Sequence, residues 1–247
     1  MKNRALLEMS VDKLDAAIAA VRGGADRIEL CENLSVGGVT PSLELIREAR
    51  KLISVPIFAM IRPRGGDFCY SAAEFERMKE EISQVKAVRT DGVVFGILTR
   101  EGRVDIERTQ ELAHLANPLP VTFHRAFDEL ADLAQGLEDV IATGAQRILT
   151  SGGKPTAQEG CAAIRRLLDL ARERIVILPG GGIRPFNLGI VARATRAVEF
   201  HSGLSNLLPA SGATDHQFAH RQFEDGVRAL IKVLEEETRP LHPATRS

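Results

Sequence analysis

Short apolar runs recur along the chain, and each is followed by a longer stretch whose apolar residues repeat with helical spacing. Eight such runs can be marked: Ala5 to Met9, Arg27 to Cys31, Pro56 to Ile61, Gly92 to Leu98, Leu119 to His124, Arg147 to Thr150, Ile175 to Leu178 and Ala197 to His201. Runs rich in β-branched residues that alternate with helical segments are the pattern of βαβ units around a parallel sheet, whose strands are buried on both faces. Start and stop signals agree. Ser71-Ala72-Ala73-Glu74 and Thr156-Ala157-Gln158-Glu159 have capping-box spacing, while Thr40-Pro41 and Arg184-Pro185 place proline in a first helical turn. Gly23-Gly24 and Gly144 suit the left-handed conformation that ends a helix.

Gly24-Ala25-Asp26-Arg27-Ile28-Glu29-Leu30 and Gly144-Ala145-Gln146-Arg147-Ile148-Leu149-Thr150 echo each other four units apart, which suggests two half-barrels. The length, 247 residues, is close to the roughly 250 of a typical eight-fold barrel. The predicted class is therefore α/β, a single (β/α)8 TIM barrel treated as one domain over 1-247. The barrel spans about 5-235, with a longer loop from Ser202 to Asp215 and a tail, 239-247, that has prolines and no periodicity. An open doubly wound sheet is the rival. It would put a Gly-rich G-x-G-x-x-G turn after the first strand, where Met9-Ser10-Val11-Asp12 stands instead, so no nucleotide cofactor is expected.

Composition narrows the partners. Lys and Arg number 32 against 33 Asp and Glu, a net charge of -1 that leaves no basic footprint for nucleic acid. No window approaches the roughly 20 apolar residues of a membrane span, and Met1-Lys2-Asn3-Arg4 leads straight into Leu6-Leu7-Glu8 without a secretory signal. Cys31, Cys69 and Cys161 are odd in number and far apart, which argues for reduced thiols. A cytoplasmic location is expected.

Alternate residues of a barrel strand face inward, so polar residues of one parity near a strand's C-terminal end should meet at the mouth. On that reading Glu8 and Glu29 project inward with Cys31 beyond, Arg62 closes the third strand, His124 closes the fifth, and Glu199 and His201 share a parity in the eighth. Singly, such a carboxylate or guanidinium is ordinarily half of a structural ion pair, and such a histidine a satisfied core residue. Gathered at one mouth they would cost heavily in desolvation unless they bind something. Glu8, Glu29, His124, Glu199 and His201 are thus candidate acid/base groups.

The loops supply candidate ligand contacts. Arg62 and Arg64, in Arg62-Pro63-Arg64-Gly65-Gly66-Asp67-Phe68, read as an oxyanion clamp, because planar guanidiniums bind carboxylate or phosphate bidentately. Ser151 and Gly152, with Gly181 and Gly182, expose backbone N–H groups, and the helix from Pro185 adds its positive end, a setting for an anion. Arg125 and Asp128 flank His124, with Asp128 an orienting partner for the imidazole.

Glu29-Leu30-Cys31 with Gly37-Gly38-Val39-Thr40-Pro41-Ser42, followed by Ile61-Arg62-Pro63-Arg64-Gly65-Gly66-Asp67-Phe68-Cys69-Tyr70, resembles the CutC family. Thr122-Phe123-His124-Arg125-Ala126-Phe127-Asp128, Leu149-Thr150-Ser151-Gly152 and Glu199-Phe200-His201-Ser202 continue the resemblance in order, over about residues 5 to 235. It implies a TIM barrel, a cytoplasmic homodimer, and copper homeostasis with copper binding. Cu(I) prefers thiolate and thioether ligands, and the chain has no Cys-x-x-Cys pair or methionine-rich stretch. The remaining metal candidates are Cys31 and Cys69, which adjacent strands could bring close, with His124 or His201 as nitrogen donors. Cys161 reads as a helix core position. The resemblance makes a cytosolic copper-homeostasis protein that binds copper, as Cu(I), the expected function, and the alternative is an enzyme acting by acid–base chemistry on a small anionic metabolite, carboxylate or phosphate.

Overall fold

The structure, a computed structural model, describes residues 4–204, 207 and 216–237. Strands β1 (Leu6–Val11), β2 (Arg27–Leu30), β3 (Ile57–Met60), β4 (Gly92–Phe95), β5 (Val121–Phe123), β6 (Arg147–Thr150), β7 (Val176–Pro179) and β8 (Glu199–Ser202) alternate with eight helices. The helices are α1 (Leu14–Gly23), α2 (Leu43–Leu52), α3 (Ala72–Ala87), α4 (Ile106–Ala116), α5 (Leu133–Ala142), α6 (Cys161–Ala171), α7 (Pro185–Thr195) and α8 (His216–Glu237). All ladders are parallel, in the order β7-β6-β5-β4-β3-β2-β1-β8, and β8 returns beside β1 with Glu8 opposite His201. With β7 and β8 side by side, the sheet is a nearly closed (β/α)8 barrel, the predicted fold. Among the described residues no helix is long and apolar enough to cross a membrane.

The local signals act much as expected. Ser71 and Glu74 form the reciprocal capping box of α3, Pro185 opens α7, and Gly24 ends α1 at φ 104°. Two shift. Pro41 precedes the true cap of α2, Ser42, whose hydroxyl accepts from the Leu45 N–H. The Thr156 hydroxyl accepts from the Glu159 N–H in a turn ahead of α6 rather than in its first turn. Several strands end earlier than the apolar runs: Cys31, Ile61, Leu98 and His124 all lie past the last ladder residue, where the chain bends into the mouth loops. Most of the predicted Ser202 to Asp215 loop, and the tail after Arg239, lie outside the described residues.

Strand alternation separates two interiors. Leu7, Met9, Ile28, Ile57, Phe95, Phe123, Ile148 and Phe200 pack outward into one continuous core beneath the helices. Inside the barrel Cys31, Phe58, Met60 and Val94, with Leu34 against them, form a small second apolar cluster, and Leu149 lines the mouth cavity. Beside them stand buried charged groups, unlike the branched aliphatic filling usual in such barrels. At the N-terminal end Glu199 accepts from Arg27 Nη2 at 2.7 Å and Arg147 Nε at 3.1 Å. Both guanidiniums stand over the Phe58 ring, 4.9 and 5.2 Å from its centroid. The ring occupies room left by Gly92, where a Cβ would come within 2.6 Å of it. This layer is the barrel floor.

Candidate active site

Above the floor, the parity of β1, β2 and β8 brings three ionisable groups together. Glu8, fully buried, accepts from Arg27 Nε and meets His201 Nδ1 at 2.7 Å. Burial alone would raise its carboxyl, but Arg27 and His201 outweigh it and hold Glu8 at about 2. For His201 the balance runs the other way: burial disfavours the imidazolium, yet Glu29 and Glu8 together raise its pKa. Glu29 Oε1 accepts from Ser10 Oγ at 2.8 Å, while Oε2 is buried without a partner. Burial pushes the Glu29 carboxyl up, Glu8 adds to that, and His201 opposes it. One ligand atom from each of Glu8, Glu29 and His201 lies within 4.8 Å of the others, the only such group among the described residues.

His124 leaves β5 as the cap of a short 3-10 turn, Arg125–Glu129, and its Nδ1 accepts from the Ala126 N–H at 3.2 Å. That bond puts the imidazole proton on Nε2, which is buried and has no partner. Burial, then the Arg62 charge, lowers the pKa to about 3, so the ring is neutral. Gly96 is required beneath it, since a Cβ there would lie 2.7 Å from Nδ1.

Glu29, His201, Met60, Arg62, His124 and Arg125 line one cavity of about 450 Å³ at the C-terminal mouth. Glu199 does not join them. It shares the parity of His201 but sits two residues earlier, one level deeper, in the floor.

The predicted clamp is not formed. Arg62 spends Nη1 on the carbonyls of Val36 and Gly38 and Nη2 on that of Gly66, fastening loops and leaving only Nε without a partner. Arg64 is held by Glu74 and Asp67, at 2.6 and 2.9 Å, away from this cavity. The β6 loop is also already engaged. Asp128 accepts from Thr150 Oγ1, the Ser151 N–H and hydroxyl, and the Gly153 N–H, and the Gly152 N–H goes to Thr150 Oγ1. Asp128 thus fills the cradle expected to hold an outside anion, and it orients the loop rather than His124.

What stays open lies at the rim. Arg125 gives Nε to Asp128 and Nη2 to Ser151 Oγ, leaving Nη1 beside Gly181. Gly181 and Gly182 have φ of 96° and 69°, and a Cβ at 181 would stand 3.2 Å from the Arg125 Cζ. No acceptor among the described residues takes either glycine's N–H.

The thiols are dispersed. Cys31 is buried, its Sγ donating to the Val11 carbonyl, and burial followed by the Glu29 charge pushes it well up. Cys69 lies on an outer groove with Tyr70, Leu98 and Arg108, and neither thiol lines the central cavity. Cys161 opens α6 and donates to the Ala157 carbonyl. Sequence reasoning missed Arg27, Arg147 and Ser10. The inward parity that selected Glu29 also selects Arg27, so the signal was present at the strand's other end.

A family model described as the CutC family matches residues 5–206. The copper homeostasis protein cutC homolog of Homo sapiens is 48% identical over 199 residues, 81% of this chain and 73% of that protein. The Mus musculus homolog is 47% identical over 241 residues, 94% and 88% of the two chains. The crystal structure of CutC from Streptococcus agalactiae superposes with a TM-score of 0.76 at 33% identity, covering 80% of this chain and 97% of that one. A family match over most of the length, relatives near half identity and the same barrel lead to one conclusion: this chain belongs to the CutC family.

Proposed function

We propose that the protein is a cytoplasmic enzyme that binds a small anionic metabolite at the barrel mouth and moves protons on it. One observation carries this reading: Glu29 Oε2 and His124 Nε2 are both buried, both unpaired, and on residues that open to the same cavity. A buried polar group without a partner costs about 1–3 kcal/mol, a penalty that a ligand supplying the missing bonds removes. The volume, about 450 Å³, suits a metabolite-sized ligand. Arg125 Nη1 and the Gly181 and Gly182 N–H groups suit its carboxylate or phosphate.

Thermal unfolding against inorganic phosphate, 2-oxo acids and triose phosphates tests the site, because a ligand that prefers the native state raises Tm. At least one of these anions is expected to stabilise the protein, and Arg125→Met to reduce the shift. No shift with any of them would overturn the reading.

Copper is the second reading, favoured by the names of the relatives and by the Glu8, Glu29 and His201 cluster. The donor chemistry does not fit Cu(I). Two of the three ligands are hard carboxylates, and Glu8 and His201 already satisfy each other. The Cys31 thiol resists ionisation, although a thiolate is the form that binds metal. Anaerobic Cu(I) titration against a competing chelator is therefore expected to give equal affinities for the native protein and the Cys31→Ser, Cys69→Ser double variant. A tenfold or greater loss in the double variant would restore a thiolate copper site.

A further inference from the structure

The reaction class can be taken further, on the basis of the mouth site just proposed. We propose that the protein catalyses proton transfer at a carbon next to a carbonyl, on a small 2-oxo acid or triose phosphate, with Glu29 as the base and the His124 Nε2–H as the donor that holds the enolate oxygen.

The hydroxyls near the mouth are engaged: Ser202 donates to the Ile183 carbonyl, Ser151 is held among Arg125, Asp128 and the Lys154 carbonyl, and Ser10, beside Glu29 Oε1, leaves Oε2 free to act on carbon. Glycoside cleavage of the ordinary kind needs two carboxylates free to act on the ligand, but Glu8 is consumed by Arg27 and His201, Asp128 by the Thr150, Ser151 and Gly153 donors, and Glu129 is exposed at the rim. Among the described residues that line the cavity, the buried groups without a partner are the Glu29 Oε2 carboxylate oxygen, the neutral His124 Nε2–H donor and the Arg62 Nε, and the first two form an acceptor and donor pair. That pair matches enolisation: one atom to take a proton from carbon, and one dipole aimed at the oxygen where charge develops. The Ala126 N–H fixes the His124 tautomer that donates from Nε2. His201, next to Glu29, steadies the ionised carboxylate, and burial makes that carboxylate a stronger base.

The step balances without an added reactant. Glu29 Oε2 takes the proton from the α-carbon, and the C–H electron pair becomes the C=C bond. The carbonyl π pair moves to oxygen, which accepts from His124 Nε2–H. Glu29 then returns the proton to the same carbon as the oxygen pair re-forms the C=O bond, so the compound is regenerated with its hydrogen exchanged. The ligand's anionic group rests at Arg125 and the Gly181–Gly182 turn.

The test is deuterium exchange in D2O followed by proton NMR, with pyruvate and 2-oxoglutarate as the carboxylate arm and dihydroxyacetone phosphate as the phosphate arm. Exchange above the protein-free rate is expected in one arm, which identifies the anion. It should fall at least 100-fold in Glu29→Gln, which keeps the Ser10 contact, and in His124→Asn, which keeps the cap on Ala126. If one variant fails to fold by circular dichroism, the other decides. A compound that raises Tm yet shows no exchange would overturn this reaction while leaving the site intact. Absence of both would overturn site and reaction together, and exchange unaffected in the folded variants would remove the assigned roles.

Discussion

Replacing Arg27 with methionine is expected to lower folding stability by about 3–5 kcal/mol, the range for breaking one side of a buried ion pair. Arg27 serves two carboxylates from inside the barrel, Glu8 and Glu199, and lies over the Phe58 ring. Methionine keeps the apolar stem and removes the charge. Glu8 would then be fully buried with His201 as its remaining partner, and Glu199 would depend on Arg147 alone. Urea unfolding followed by circular dichroism measures the loss. The Arg27→Met, Glu8→Gln double variant should lose less than the two single losses added together, because the second change removes the stranded charge. A single-variant loss below about 1 kcal/mol would mean that water reaches the floor and screens these charges.

A second large effect is a dependence on pH. His124 titrates at about 3 in the native protein against an ordinary 6.5. As pH falls below 6.5, the unfolded chain takes up a proton that the native ring refuses, so this histidine withdraws stability progressively down to about pH 3. Each unit of difference is worth about 1.4 kcal/mol, so roughly 2–3 kcal/mol should disappear between pH 7 and 4.5. Glu29 and His201 have raised values and act with the opposite sign as pH falls, but both are present in native and variant alike. The difference between the native protein and His124→Asn, taken from urea unfolding at pH 7, 5.5 and 4.5, isolates the His124 part. Parallel curves would show that the ring is hydrated and protonates freely.

The barrel was legible because its signal is periodic. Alternation along short runs found all eight strands and the inward direction of Glu8, Glu29 and His201. Depth was not legible: parity says which way Glu199 points, but its level along the barrel axis is set by the stagger between strands, which put it in the floor. Donor saturation was hidden as well. That Arg62 is spent on the carbonyls of Val36, Gly38 and Gly66, or that Asp128 settles among the N–H groups after β6, depends on loops meeting across distant sequence. Soft-donor geometry failed for the same reason. Cys31 and Cys69 belong to neighbouring strand ends, yet one turns into a dry interior and the other onto an outer groove.

The stacked Arg27, Phe58 and Arg147, with Glu199 across them, make the lower end of the barrel a stopper. Whatever reaches Glu29 must come in from above and go out the same way. On the proposed enzymatic reading, turnover is a one-doorway process: a reacted molecule has to vacate before a fresh one can take its seat, so product should compete with substrate for the free protein.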